Sequence, residues 1–433
     1  MKLIVVGTGQ GGSNIADEFV SMGEWVWKNR GIRIFTGSDE DPISTGVFAI
    51  NLGAGDLYGL KHIPQTSDHT ILMGNSDEFR GRGAGKINAN GAEQARKDSK
   101  KIISTIRDSG DVATADAILV IATAAGGTGS GSIGVIVDEL KHNFNKPVYA
   151  MIVLPFAYQY DDPDTMMNTG TCLKRVLENS LADAVFLMDN QKFVRANDTT
   201  STNYGEINTR IAQSFMDIMC VGEENDQRFV GEVLDANDVI TMLHGPTAIG
   251  VGQGSIPTKQ QPRFFNKFYQ KPDTADHFSD SKGQMERAKN VLTRTLADLS
   301  IDCEYHEESS TSYDAQYVLG LFSAPSDETT QEIIEMMDSN LAEQVPGACR
   351  RKGTYPGRTS ETLSITVIMS NLGKGAAMDK VEFFYRSAID AIAAKEDQQD
   401  TRNQLWNQTN RVAAQLPNLK RRTTDIQSLK MEL

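Results

Sequence analysis

The segment Ala125-Gly126-Gly127-Thr128-Gly129-Ser130-Gly131 constrains this chain more than any other. It follows an apolar run at 117–122 and precedes an apolar helical pattern that reaches position 140. Four glycines in seven positions would be costly in an ordinary strand–helix turn, because glycine loses more backbone freedom on folding than any other residue. They make sense where backbone must approach a bound anion closely. Successive N–H groups at a helix start form an anion nest, and the Thr128 and Ser130 hydroxyls add donors. No Gly-Lys-Ser/Thr follows the glycines, which excludes a Walker-type phosphate loop.

A second glycine turn, Gly7-Thr8-Gly9-Gln10-Gly11-Gly12-Ser13-Asn14, follows an apolar run at 2–6. Gly7, Gly9 and Gly12 satisfy G-x-G-x-x-G, which serves a nicotinamide dinucleotide and a guanine nucleotide equally well. Around the two turns, strand patterns at 2–6, 46–50, 117–122, 148–154 and 184–188 alternate with helical patterns at 14–22, 92–107, 132–140 and 173–181. This alternation predicts an α/β fold with a doubly wound, mostly parallel sheet. A long helix is expected over 204–219, with Ile207, Ile211, Phe215 and Ile218 on one face. Beyond it, strand-like runs at 248–251, 316–322 and 364–370 and helices at 285–299 and 327–344 predict a second, mixed α/β domain. Residues 253–281 have the composition of a surface loop.

The expected division is a nucleotide-binding domain over 1–203, a central helix and connection over 204–230, a second domain over 231–394 and a helical tail over 395–433. A length of 433 residues suits two domains and a tail.

Composition removes several classes. The net charge of −14 argues against a nucleic-acid partner, which would require clustered Lys and Arg. Four cysteines lie scattered, without metal-ligand spacing or a disulfide framework, as expected in the reducing cytoplasm. No run of 18 apolar residues is present, so no transmembrane segment is expected, and the first residues enter a strand rather than a signal peptide.

The glycine segment resembles the GGGTGSG signature of the tubulin/FtsZ superfamily, with Ala125 in place of the first glycine. Further matches follow in the family's order. Gly9-Gln10-Gly11-Gly12 resembles the first phosphate loop of tubulin, where the glutamine lies near phosphates and magnesium. Asn14 falls where the family contacts guanine. Gly83-Ala84-Gly85 resembles the loop that faces the terminal phosphate. Met188-Asp189-Asn190 resembles the segment whose asparagine reads guanine. Asn203-Tyr204-Gly205-Glu206-Ile207-Asn208 resembles the start of tubulin's central helix, whose tyrosine stacks on the base and whose asparagine bonds its edge. An aromatic face with amides is chemically apt for guanine. For the ribose, the resemblance implies an acid within 161–164, Asp164 being preferred to Asp161, with Asn168 close by.

Val233-Leu234-Asp235-Ala236-Asn237-Asp238-Val239 resembles the family's co-catalytic loop. The resemblance implies that Asp235 and Asp238 enter the nucleotide site of the next subunit and polarise the attacking water. By itself, the same spacing describes a plain helix N-cap. What is implied is a cytoskeletal GTPase that takes GTP/GDP and Mg2+, forms a head-to-tail homopolymer and serves cell shape or division. Tail-binding cytoskeletal partners and membrane-proximal filaments are compatible with it. A mixture of FtsZ-like and tubulin-like features points to the archaeal CetZ group.

The chain departs from the pattern at Val233, where the family has Asn, and at Asn51 and Gly53, where tubulin has acids near magnesium. Asp56 is the acid nearest to compensate. Lys86 stands where tubulin has an asparagine, within reach of a terminal phosphate. These departures keep a second reading open, a filament protein that holds GTP without turnover. A third, a nicotinamide-dependent oxidoreductase, needs a strand at 32–35 followed by Asp39 or Glu40, and leaves the 125–131 loop without a role.

Overall fold

The computed structural model describes residues 1–37, 46–74, 81–178, 181–195, 203–223, 234–256, 275–307, 310–325, 328–356 and 362–413. The first half opens with β1 (Leu3–Thr8), α1 (Gly9–Arg30), β2 (Val47–Asn51), α2 (Ala54–Tyr58) and β3 (Thr70–Leu72). It continues through α3 (Asn88–Ser109), β4 (Ala117–Thr123), α4 (Thr128–Asn143), β5 (Val148–Leu154), α5 (Pro163–Leu177), β6 (Ala184–Asp189) and α6 (Asn190–Phe193). Next come α7 (Asn203–Gln213), α8 (Met216–Cys220), α9 (Ala236–Ile240), β7 (Gly245–Ser255) and α10 (Ala275–Ala297). The chain ends through β8 (Glu304–Glu307), β9 (Ser310–Tyr313), β10 (Tyr317–Ala324), α11 (Gln331–Gln344), β11 (Cys349–Pro356), β12 (Thr362–Ser370) and α12 (Ala376–Ala413).

Ten strands form one sheet in the order β11-β10-β12-β7-β6-β5-β4-β1-β2-β3, and β8 and β9 form a separate hairpin. From β3 to β7 every pairing is parallel, while β12 pairs antiparallel with both β7 and β10. The expected mostly parallel α/β sheet is thus observed. Both of its faces are covered, so its central strands read as unbroken apolar runs. In β1, Ile4 and Val6 join a core with Ile102, Ile133 and Leu173 from α3, α4 and α5. The alternate residues Leu3 and Val5 join a second core with Phe19, Ile207, Ile211 and Phe215 from α1, α7 and the turn after it.

Several helices differ from expectation. α5 starts ten residues early, because Asp162 accepts the Asp164 N–H at 3.1 Å as N-cap and Pro163 takes the first helical position. The helix expected at 204–219 breaks after Gln213. There the Ser214 hydroxyl bonds the Ile211 carbonyl at 2.6 Å, a local alternative to the helical ladder. The four apolar residues chosen for its face are nevertheless all buried. α12 runs through position 395 unbroken over 38 residues, about 57 Å at 1.5 Å per residue. β7 extends to Ser255 and α10 starts at Ala275, so the expected loop at 253–281 is partly regular, and 257–274 lie outside the described residues.

Candidate active site

The strand order reverses between β1 and β4, and the crevice beyond the carboxyl ends of such neighbours is where parallel sheets bind ligands. Both glycine turns lie there. α1 starts directly at Gly9 and α4 at Thr128, so their unpaired first-turn N–H groups point into one space. The two turns touch. Gly9 has φ of 69°, and a Cβ on it would lie 2.6 Å from Gly129 N. Thr8 Oγ1 and Ser132 Oγ hydrogen-bond at 2.5 Å, tying β1 to α4.

The loop holding Gly83, Ala84 and Gly85 closes the third side and leads into α3. A Cβ on Gly127 would lie 2.7 Å from Ile87 N. Asn168 Nδ2 clasps this side, donating to Lys86 O at 2.9 Å and Ala125 O at 3.1 Å. Its amide therefore joins the two loops. Ser130 is fully buried and its hydroxyl donates to the Gly126 carbonyl, so it shapes the loop rather than facing the nest. Gln10 is exposed at the start of α1, beside the half-buried Gly11, Ala125 and Gly126.

The residues expected to face the base also converge. Thr209 Oγ1 donates to Glu18 at 2.8 Å, which sets the register of α7 against α1. One turn earlier on each helix lie Asn14 and Gly205, with Tyr204 and Asn208 beside them. Arg210 donates to Phe193 O at 2.6 Å and so brings α6, which starts at Asn190, to the same place. Tyr204 is 55% exposed. Two further aromatics, not anticipated from the sequence, support it. Phe156 stacks on Tyr158 with centroids 5.3 Å apart and meets Tyr204 edge-on at 5.6 Å, and the Tyr158 and Tyr204 hydroxyls hydrogen-bond. Burial and then the Tyr204 hydrogen bond push the Tyr158 hydroxyl up to about 12. Their position just after β5, at the carboxyl end of a parallel strand, is the signal that could have found them.

At the segment expected to face the sugar, Asp164 pairs with Lys395 of α12. Asp162, passed over in the sequence, caps α5, accepts Thr165 Oγ1 at 2.9 Å and pairs with Lys86 Nζ at 3.1 Å. Burial raises its carboxyl, but the hydrogen bonds from Lys86, Thr165 and the Asp164 N–H outweigh that and hold it below the usual carboxylate range. Asp189, just before Asn190, is buried and pairs with Lys380 of α12.

Asp235 and Asp238 lie at the other end of the sheet. Met1 donates its amino group to Met219 O and Val221 O at 2.9 and 2.6 Å, which places 219–222 at the amino end of β1. A Cβ on Gly222 would lie 3.4 Å from Asp235 Cα. β1 alone, six residues long, separates that end from the glycine turns by about 20 Å. The two acids form a capping box on α9, Asp235 Oδ1 accepting Asp238 N–H at 3.0 Å and Asp238 Oδ2 accepting Asp235 N–H at 3.1 Å. Arg351 on the edge strand β11 pairs with Asp238, and a Cβ on Gly353 would lie 2.5 Å from Leu234. No sequence pattern marked Arg351, because it sits more than a hundred positions away. Val233 lies outside the described residues.

Among the described residues no three His, Cys, Asp or Glu side chains stand together as a metal site. Gln10 and Asp56 lie at the carboxyl end of the sheet, Asp56 being held by Asn51 Nδ2 at 3.0 Å. The dinucleotide reading loses its support. Residues 32–35 give only an isolated bridge between Leu3 and Phe35, and Asp39 and Glu40 lie outside the described residues.

The tubulin/FtsZ family GTPase domain matches residues 2–198, and the tubulin-like CetZ C-terminal domain matches residues 197–390. Adjoining one another over most of the chain, the two matches show that the protein belongs to the tubulin/FtsZ family of cytoskeletal GTPases. Its second half places it, within that family, in the CetZ group.

The chain is 28% identical over 378 residues to Tubulin-like protein CetZ1 of Haloferax volcanii, covering 86% of this chain and 88% of that one. Its fold is similar to that of CetZ1 from Haloferax volcanii, a GDP-bound monomer, with a TM-score of 0.70, 24% identity and coverage of 90% and 99%. It is also similar to CetZ2 from the same organism, a GTPγS-bound protofilament, with a TM-score of 0.69, 23% identity and the same coverage. No helix among the described residues is long and apolar enough to cross a membrane.

Proposed function

We propose that the protein binds GTP at the carboxyl end of its parallel sheet and assembles head to tail into filaments. In this reading Asp235 and Asp238 of one subunit complete the nucleotide site of the next. The observation that carries it is the placement of acids and glycine turns at opposite ends of one sheet. A subunit cannot bring its own acids to its own phosphates, whereas stacking carboxyl end on amino end does so at every joint. A heterologous contact of this kind repeats into an open filament.

The glycine nest and three helix starts hold the phosphates, with Gly9, Gln10, Gly11, Gly83, Ala84, Gly85, Ala125, Gly126, Gly127, Thr128, Gly129 and Ser130 forming the walls. Asn14, Asn190, Tyr204 and Asn208 take the base, and Asp164 and Asn168 flank the sugar side. Bound Mg2+ would neutralise phosphate charge, with Gln10 and Asp56 as the nearest protein groups. In hydrolysis a water forms a bond to the γ-phosphorus, the bond to the bridging oxygen of GDP breaks, and the water's proton passes to a carboxylate. Asp235 is the more exposed of the two acids and the better placed to receive it. The polymer would act in cell shape or division within the cytoplasm.

The test is GTP hydrolysis against protein concentration with magnesium, for wild type and Asp235→Ala, alongside pelleting. Activity per subunit should rise steeply with concentration and fall by roughly a hundredfold or more in the variant, as loss of a general base implies, while GTP binding and pelleting persist. Flat activity per subunit, untouched by the substitution, would sink the shared site. One observation favours a filament that holds GTP without turnover: both acids already serve a capping box and Arg351 holds one of them. Pellets whose GTP survives assembly would establish that reading instead.

A further inference from the structure

β6 pairs with β7 only at Ala184, Val185 and Phe186. Beyond them Ser300 joins the two strands. Its hydroxyl donates to Leu187 O at 2.8 Å, its N–H donates to Ile249 O at 2.8 Å, and its carbonyl accepts the Asp189 N–H at 2.7 Å. The turn that begins at Asn190 thus hangs from the second half of the chain. Asp189 orders that turn. It is buried, and both carboxylate oxygens are committed. Oδ1 accepts the Gln191 N–H at 3.1 Å as N-cap of α6, and Oδ2 accepts the Lys380 ammonium. A buried charge of this kind keeps its geometry only while it is paired.

The lysine is itself set in place. Val381 and Phe384, which follow it on α12, are buried, and a Cβ on Gly170 of α5 would lie 2.7 Å from Phe384 O. Tyr160 packs edge-on against Phe384 at 5.5 Å and hydrogen-bonds the same ammonium. Burial alone would lower the lysine, but Asp189 and then Tyr160 outweigh it and hold the ammonium above the ordinary lysine value.

We propose that Lys380 is a positioning residue for base selection: through Asp189 it sets the turn that presents the Asn190 amide to the amino edge of guanine. This rests on the GTP reading above and deepens it. An amide oxygen accepts from the exocyclic amino group of guanine. Hypoxanthine lacks that group and keeps the rest of the base, so it measures how well Asn190 is placed. Lys380 acts through Asp189, and selectivity for guanine becomes a property of how α12 seats on α5.

The experiment measures GDP and inosine diphosphate affinity by competition with a fluorescent guanine nucleotide, on the full chain with magnesium, below the concentration at which it pellets. Lys380→Met strands the Asp189 charge. It should weaken GDP by about tenfold, as the loss of one hydrogen bond to the base implies, and leave inosine diphosphate within about twofold. Lys380→Arg should recover most of the preference for GDP. In an Asp189→Asn background the cap is kept and no carboxylate is stranded, so Lys380→Met should cost nothing further. Lys380→Gln keeps a donor for Asp189 and carries the same test if Lys380→Met does not fold, with a smaller loss confined to GDP. Equal weakening of both nucleotides, weakening of neither, or an undiminished loss in the Asp189→Asn background overturns the role of Lys380 and leaves the GTP reading intact. Wild-type protein that binds GDP no tighter than inosine diphosphate overturns that role too. Wild-type protein that binds neither nucleotide overturns the GTP reading, and the role of Lys380 with it.

Discussion

The two ends of the sheet are built by different means. At the carboxyl end the walls are backbone: helix starts, glycines and close approaches such as Gly9 to Gly129. At the amino end the groups proposed to act are side chains, with Asp235 and Asp238 held by each other and by Arg351 from the outermost strand. A backbone site is set by local sequence, because glycine spacing alone decides how near two turns can come. A side-chain site depends on strands that meet only after the whole sheet has formed. The carboxyl end should therefore be intolerant of small steric changes, and the amino end tolerant in stability but sensitive in activity.

Gly9→Ala is the sharpest way to break the contrast. The new Cβ meets Gly129 N on a residue that needs a positive φ. Strain and overpacking together cost about 2–4 kcal/mol. The thermal midpoint should drop by several degrees, and guanine-nucleotide affinity should fall sharply, both read in one titration followed by melting. A variant that keeps its midpoint and its affinity would mean that the turns can part, and that the carboxyl end is no more rigid than the amino end.

This contrast also explains what could be read in the chain. The central parallel strands were legible because burial on both faces leaves unbroken apolar runs, as in β4 and β5, whereas the three-residue edge strand β3 was not read. The two glycine turns were legible because each is a run of consecutive residues. Less visible was whatever depends on distant partners. β11, with Arg350-Arg351-Lys352 in sequence, has little apolar character, yet it pairs along β10 and sends Arg350 and Lys352 toward Asp338 and Arg351 toward Asp238. The start of α5 was hidden because Asp161-Asp162-Pro163-Asp164 has the composition of a loop, and only the cap geometry shows that Pro163 opens a helix. Asn168 was placed near the sugar by resemblance, but its clasp on Lys86 and Ala125 needs the folded loops.

At the amino end Arg351→Gln separates stability from activity. An exposed ion pair contributes only about 0–1 kcal/mol, so the denaturation midpoint should scarcely move. The Asp238 carboxylate loses its lateral support, and misplacement of such a group slows turnover. GTP hydrolysis per pelleted subunit should fall by about three- to tenfold, well short of the effect of Asp235→Ala. A fall as large as that of Asp235→Ala would make the guanidinium part of the reaction itself. A loss of fold would make the β11 edge structural, and the contrast between the ends would narrow.

The smallest effect lies at the base end, where the backbone site takes on side chains. Burial, followed by the Tyr204 hydrogen bond, pushes the Tyr158 hydroxyl up to about 12, against an ordinary value of about 10. A group whose folded value lies above its unfolded one stabilises fully below the unfolded value and loses that contribution as pH rises through the folded one. The Tyr158–Tyr204 bond should therefore support the fold through neutral pH and fail between about pH 10 and 12. Other tyrosines and lysines titrate in the same range, so the difference between wild type and Tyr158→Phe is the informative quantity. Urea midpoints of the two proteins should differ slightly at pH 8 and converge above pH 11, because both rings are largely exposed and water competes for the bond. Parallel curves across the whole range would show that the hydroxyl pair contributes nothing, leaving Tyr204 positioned by Phe156 packing and the α7 backbone alone.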